Sequence, residues 1–202
     1  MFVRGIAEGF DRLSAEAQEA CVDIAIEINR RFVKTIAENS SDLIKETIKS
    51  AVKMAIEKAR ETGAELVMAT DPDADRIGAA VKDLDGEYIL LNGNQTGALL
   101  TWYIISQMKQ KGLLNSSHYI IKTIVTSQLF DDIAAANKVK CYNVLTGFKY
   151  FASLMKVLEK DGFNYIGGGE ESFGFLPGDY VRDKDAVVSC ALLAEVAAFA
   201  AS

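Results

Sequence analysis

The chain has 202 residues, half of them apolar and a quarter charged, enough for one large globular domain or two small ones. Its net charge of −6 excludes a polyanion binder held by bulk charge, so any phosphate must be gripped by a few local cations and backbone N–H groups. Cys21, Cys141 and Cys190 are odd in number, far apart and without metal-ligand spacing, which suits isolated thiols in a reducing cytosol.

From the N-terminus, no long apolar run follows Arg4, so no signal peptide is expected. Ala17, Cys21, Ile24, Ile28, Phe32 and Ile36 recur at helical steps and predict one apolar stripe. Asn39-Ser40-Ser41 breaks it and can cap a second helix, whose stripe is Ile44, Ile48, Val52, Ala55 and Ala59, with Gly63 at C′. Glu65 to Thr70 is a short apolar run, read as a buried strand. Gly78 to Lys82 and Tyr88 to Leu91 predict a hairpin around Asp85-Gly86.

Helices are then expected over Thr96–Lys111, Gln128–Asn137, Phe148–Lys160 and Asp185–Ala200. Strands are expected over Tyr119–Val125, Lys140–Leu145 and Tyr165-Ile166. The last helix includes Ala191–Ala201, which Glu195 interrupts and which is too short to span a bilayer. Strand–helix alternation from about residue 88 argues for an α/β fold: a three-layer α/β/α domain with a mostly parallel sheet, preceded by an N-terminal helical segment. Ligands of such sheets sit at the carboxyl ends of strands. Three polar clusters hold positions of that kind: residues 70–76, Thr146-Gly147, and Gly167 to Ser172.

The first cluster, Thr70-Asp71-Pro72-Asp73-Ala74-Asp75-Arg76, sets three carboxylates on alternate residues. Like charges at such separations repel by roughly 4 kcal/mol per pair at an effective dielectric of 20, so they call for a cation. All-oxygen ligation points to a hard ion such as Mg²⁺, and to phosphoryl transfer. An EF-hand would need Gly and Glu where Arg76 and Lys82 stand, so calcium binding of that type is excluded. A haloacid-dehalogenase-type phosphatase, with Asp71 as nucleophile and Asp73 as acid/base, is the chemical rival. Its usual small residue and Thr or Val are replaced here by Asp75-Arg76. The other cluster, Gly167-Gly168-Gly169-Glu170-Glu171-Ser172-Phe173-Gly174, follows a strand. Its glycines admit a ligand close to the backbone, and its carboxylates and hydroxyl can bond several sugar hydroxyls at once.

Together these strings resemble the α-D-phosphohexomutase family, most closely its phosphoglucomutase/phosphomannomutase branch. The resemblance runs from about Ala51 to Ser202. It includes the acidic loop, Leu91-Asn92-Gly93-Asn94-Gln95, Leu145-Thr146-Gly147-Phe148-Lys149, Gly169 to Gly174, and Asp183-Lys184-Asp185. It implies that Asp71, Asp73 and Asp75 hold one Mg²⁺ and that Arg76 faces the phosphate in transfer. It implies that Glu170 and Ser172 bind sugar hydroxyls, that Thr146 and Gly147 line the pocket, and that Lys184 lies near the reacting group. Lys149 is left as structural.

The resemblance also implies three segments. Residues 1–62 would be a helical remnant or replacement of the family's second domain. Residues 63–91 would be the end of that domain, and 92–202 its α/β/α sugar-binding third domain. Family enzymes interconvert hexose 1- and 6-phosphates through a phosphoserine donor and a bisphosphate. The donor loop, Thr-x-Ser-His-Asn-Pro in type, does not occur here: Ser117-His118 leads into Tyr119-Ile120-Ile121. The chain is thus expected to be a partial, cytoplasmic mutase, or a non-catalytic piece of one. It should bind Mg²⁺ and glucose or mannose phosphate without converting it alone. Expected partners are the missing domains or a second copy through the N-terminal helices, with no nucleic acid and no membrane.

Overall fold

The computed structural model describes residues 41–201. They gather into two compact units, one reaching to Leu91 and taking up Val187 onward, the other formed by Asn92–Ala186. The first expected helical stripe, Ala17 to Ile36, and the capping residues Asn39 and Ser40 lie outside the described residues, as do the side chains of Ile44 and Ile48.

In the first unit, helix α1 (Ser41–Thr62) precedes strands β1 (Leu66–Thr70), β2 (Ile77–Lys82) and β3 (Tyr88–Leu91). Ala51, Val52, Ala55 and Ala59 of α1 are buried, and the helix packs on β1 and β2. It closes where the Gly63 N–H bonds the Ala59 carbonyl at 2.8 Å, as its C′ position predicts. The strands form an antiparallel sheet in the order β1-β2-β3. The β2–β3 turn is held by Asp83, whose Oδ1 accepts the N–H groups of Asp85 and Glu87 at 3.0 and 2.8 Å.

One expectation is corrected here. Residues 71–76 follow the carboxyl end of β1, as expected, but β1 belongs to an antiparallel sheet rather than a parallel one. They are the loop of a second hairpin, because Thr70 pairs with Ile77 and β1 runs antiparallel to β2. A five-residue apolar strand carries no mark of its partner's direction; the register with Ile77–Val81 decides it.

The second unit runs α2 (Gly93–Gln110), β4 (His118–Thr123), α3 (Leu129–Ala136), β5 (Lys140–Val144), α4 (Phe148–Lys160), β6 (Asn164–Gly169) and β7 (Phe175–Leu176). The sheet order is β5-β4-β6-β7. β4 is parallel to β5 and β6, and β7 is an antiparallel edge strand. Strand alternation sorts the side chains into two layers. Tyr119 and Ile121 of β4 pack with Phe148, Phe151, Met155 and Leu158 of α4. Burying each of the large apolar side chains there contributes about 2 kcal/mol. On the other face Lys122 meets Asp131 of α3, Gly167 meets Ile104 of α2, and Gly97 of α2 meets Phe130 of α3. This is the expected α/β/α sandwich.

Three boundaries differ from expectation. Helix α2 begins at Gly93, because Asn92 and Gln95 form a capping box, each side chain bonding the other's backbone N–H at 2.9 Å. Strand β4 ends at Thr123, and Ile124 and Val125 turn outward, 58% and 55% exposed. The turn is closed by Thr126 N–H on the Thr123 carbonyl and by Lys122 Nζ on the Thr126 carbonyl, both at 3.0 Å. Strand β6 runs on through Gly167, Gly168 and Gly169. A Cβ on Gly168 would lie 1.9 Å from the Ile121 carbonyl oxygen, so the close approach of β4 requires glycine there. The final helix, α5 (Ala186–Ala200), buries Leu192, Leu193, Ala194 and Val196. Among the described residues no helix is long and apolar enough to cross a membrane.

Candidate functional site

The acidic hairpin loop folds around Asp71. Its side chain is 4% exposed, and Oδ1 accepts the N–H groups of Asp75 and Arg76 at 3.1 and 3.0 Å. The loop tightens further where Ala74 N–H bonds the Asp71 carbonyl at 3.0 Å, with Ala74 at φ +55°. A left-handed non-glycine residue is uncommon and collects at functional loops. The result is convergence: Asp71, Asp73 and Asp75 offer carboxylate oxygens within 4.8 Å of one another. Burial pushes the Asp71 carboxyl up to about 6, and the neighbouring Asp75 and Asp73 charges add to the rise. The donor set is three carboxylates with no nitrogen or sulfur, which fits a hard divalent cation. Arg76 lies beside it, Nε 3.8 Å from Asp75 Oδ1, and that buried Nε–H makes no hydrogen bond. An unsatisfied buried donor next to a metal-type cluster suits an anionic oxygen.

In the second unit the β6–β7 connection, Glu170 to Gly174, carries the other cluster. Glu170 N–H bonds the Gly174 carbonyl at 2.8 Å and closes the loop. The Glu170 side chain is 7% exposed; Oε1 accepts Gly147 N–H at 2.7 Å and Oε2 lies 3.5 Å from Ser172 Oγ. Gly147, at φ +111°, is the N-cap of α4. A side chain would be strained at this φ, so glycine frees the amide to meet Glu170. Lys184 joins the same place: a Cβ on Gly174 would lie 2.5 Å from Lys184 Cδ and 3.4 Å from Glu170 Oε2. Lys184 Nζ is 3.3 Å from Asp183 Oδ1 and 5.5 Å from the Phe148 ring centre. The loop also contains Phe173 at φ +71°, a second left-handed non-glycine residue. Thus the structure brings Glu170, Ser172, Gly147 and Lys184 together. Thr146 adjoins them in sequence as an exposed residue.

Other candidates fall away. His118 stands at the start of β4, and its Nδ1 accepts Asn115 N–H at 3.0 Å. It is a loop-forming residue at the amino end of the strand, as expected. Lys149 is exposed with Nζ 4.9 Å from the Tyr150 ring centre. Burial pushes the Cys141 thiol up to about 12, so it is a poor nucleophile.

A polar core in the second unit was not foreseen from the sequence. Lys122 is buried with Nζ 2.9 Å from Asp131 Oδ2, and Asn143 Nδ2 donates to Asp131 Oδ1 at 3.2 Å. Partial burial pushes Asp131 up, but bonds from Lys122, Asn143 and Cys141 more than offset this and leave it low. The signal was a lysine inside the apolar run Tyr119 to Thr123.

The phosphoglucomutase/phosphomannomutase α/β/α domain III model matches residues 92–201, more than half of the chain. The chain belongs to the phosphoglucomutase/phosphomannomutase family. The domain II model of the same family matches residues 6–86, which includes the acidic loop. A phosphoglucomutase of Staphylococcus aureus (strain N315) is 46% identical over 131 residues, 65% of this chain and 23% of that protein. The chain thus spans about a quarter of the length of this relative. A phosphoglucomutase/phosphomannomutase family protein from Burkholderia thailandensis shares the fold with TM-score 0.57 and 18% identity, over 77% of this chain and 30% of the other. The N-acetylphosphoglucosamine mutase of Aspergillus fumigatus, in complex with GlcNAc-6P and magnesium, does so with TM-score 0.50 and 15% identity, over 67% and 33%.

Proposed function

We propose that this phosphoglucomutase/phosphomannomutase chain supplies the metal loop and the sugar loop of a hexose-phosphate mutase. The reaction is interconversion of hexose 1- and 6-phosphates through a phosphoserine donor and a bisphosphate. The observation that carries the reading is the convergence of Asp71, Asp73 and Asp75 within 4.8 Å on one loop. These residues would hold Mg²⁺, which when bound stabilises charge on the phosphoryl oxygens. Magnesium with a hexose phosphate is the ligand chemistry we propose here; the fold relative from Aspergillus fumigatus is a complex with GlcNAc-6P and magnesium.

The chain's own residues do the rest by position and charge, as phosphoryl transfer demands. Arg76, whose buried Nε–H makes no hydrogen bond, would hold the charge of the phosphate. Glu170 and Ser172 accept and donate hydrogen bonds to sugar hydroxyls, and Thr146 and Gly147 wall the pocket. Lys184 meets the phosphate or the reacting hydroxyl. The donor serine comes from outside these 202 residues, in the family's other domains, and the chain alone is inactive as a mutase. The hydrolase alternative needs Asp71 as a free nucleophile. Its burial and the two amides on Oδ1 weigh against that.

Isothermal titration with Mg²⁺, on wild type and Asp73→Asn, tests the reading. A metal-dependent heat in wild type that Asp73→Asn abolishes is expected. No heat in either protein would overturn the metal assignment and favour a non-catalytic piece.

A further inference from the structure

Two features stand outside the ligand set above, the Asn92–Gln95 motif and Glu171, and the structure joins both to the sugar loop. Glu170 and Glu171 are neighbours whose side chains bond different segments. Glu170 reaches Gly147, whereas Glu171 Oε2 lies 3.3 Å from Thr123 Oγ1 and 3.4 Å from Thr126 Oγ1. Those two hydroxyls are buried and 2.7 Å apart. Two hydroxyl protons serve three contacts, so at any moment one hydroxyl donates to the carboxylate and the other donates to the first. At 3.3 and 3.4 Å the contacts to Glu171 are long for O–H···O bonds, but its carboxylate is the one charged acceptor among the three groups and so orients both hydroxyls.

The turn that presents the hydroxyls is itself fixed. Lys122 Nζ holds the Thr126 carbonyl, and Asn94 Oδ1 accepts Ser127 N–H at 2.9 Å. Beneath, Gly93 touches the loop backbone: a Cβ there would lie 2.1 Å from the Glu171 carbonyl oxygen and 2.7 Å from the Phe173 nitrogen. Three segments therefore meet at Glu171: the first turn of α2, the turn after β4 and the sugar loop.

We propose that Glu171 is a positioning residue that fastens the Glu170–Ser172 loop to the Thr123–Thr126 turn, with Gly93 as its floor. Glu170 and Ser172 are thereby held in one geometry toward a sugar. The proposal rests on the ligand roles given to those two residues under Proposed function. It assigns no substrate contact to Glu171.

The Gly147 amide reports the outcome, because its proton is bonded to Glu170 Oε1 at 2.7 Å. Amide exchange and NMR shifts are measured in the full chain for wild type, Glu171→Ala, Glu171→Gln and the isosteric double variant Thr123→Val/Thr126→Val. Each is also titrated with glucose 6-phosphate. Glu171→Ala and the double variant should speed exchange at Gly147 by about tenfold or more while core amides such as Ile121 and Met155 keep their protection. Glu171→Gln keeps an acceptor oxygen and should restore the slow rate. Affinity for glucose 6-phosphate should fall in parallel. An unchanged Gly147 amide in Glu171→Ala overturns the proposal, as does loss of protection throughout the core. The amide readout needs no ligand. If wild type fails to bind glucose 6-phosphate, the sugar-loop reading fails, and the Gly147 rate still decides the positioning role.

Discussion

Gly93→Ala makes the sharpest structural prediction. The added methyl would stand 2.1 Å from the Glu171 carbonyl oxygen, and 2.7 Å from both the Glu171 carbonyl carbon and the Phe173 nitrogen. Ordinary contact is about 3.5 Å, so the overlap exceeds an ångström. All three partners are backbone atoms, and no rotamer change relieves them. Overpacking of this kind costs about 1–3 kcal/mol. Against it stands the helix preference for Ala over Gly, at most ~1 kcal/mol and less at a first helical position. The steric term wins, and we expect a net loss of about 1–2 kcal/mol, or roughly 3–6 °C in Tm for a chain of this size. Urea and thermal unfolding measure the loss, and amide shifts at Glu171, Ser172 and Phe173 show where the strain goes. A Gly93→Ala protein that melts at or above wild type, with those amides unmoved, would show that the loop backbone does not press on Gly93.

Other outcomes follow from the structure. Asp71 is raised from 3.8 to about 6 in the metal-free chain, so below that pH a proton competes with the cation. Mg²⁺ affinity measured by calorimetry should therefore rise with pH through about 6 and level off above about 7. The same raised carboxyl makes the metal-free fold lose stability as pH climbs from about 4 to 6, because the folded state holds the proton more tightly than the unfolded one. Lys122→Met leaves the Asp131 carboxylate without its cation, and unfolding should show a loss of about 3 kcal/mol. Finally, the purified chain should not convert glucose 1-phosphate to glucose 6-phosphate in a coupled assay, and beryllofluoride should leave no adduct at Asp71 by mass mapping. Robust conversion, or an aspartyl adduct there, would contradict the proposed division of labour.

Much of the fold was legible because periodicity and punctuation agree. Helix α4 runs from Phe148 to Lys160 as its spacing predicts, and the Asp85-Gly86 turn joins β2 and β3. The antiparallel partner of β1 was not legible, since a short apolar run does not encode strand direction. Nor was β7, which is only two residues long and exists through its pairing with Gly168 and Gly169. At the site, the chemistry of Asp71, Asp73 and Asp75 could be read from residue type and spacing. Their convergence depends on the Asp71 amide contacts and on the left-handed Ala74, which spacing does not reveal. The opposite allegiances of Glu170 and Glu171 were equally hidden. In a loop no period fixes which way neighbours point, and their partners Gly147, Thr123 and Thr126 are 23 to 48 residues away.

We propose above that the 71–76 loop is a divalent-metal site for phosphate chemistry. Mn²⁺, an oxygen-preferring octahedral ion like Mg²⁺, tests it directly through paramagnetic broadening of amide signals. Substoichiometric Mn²⁺ should erase the amides of Asp71, Asp73, Ala74, Asp75 and Arg76 first. Excess Mg²⁺ should restore them, and Asp73→Asn should abolish the selectivity. Broadening spread evenly over the exposed carboxylates of the chain, or unchanged in Asp73→Asn, would rule out a metal site in this loop.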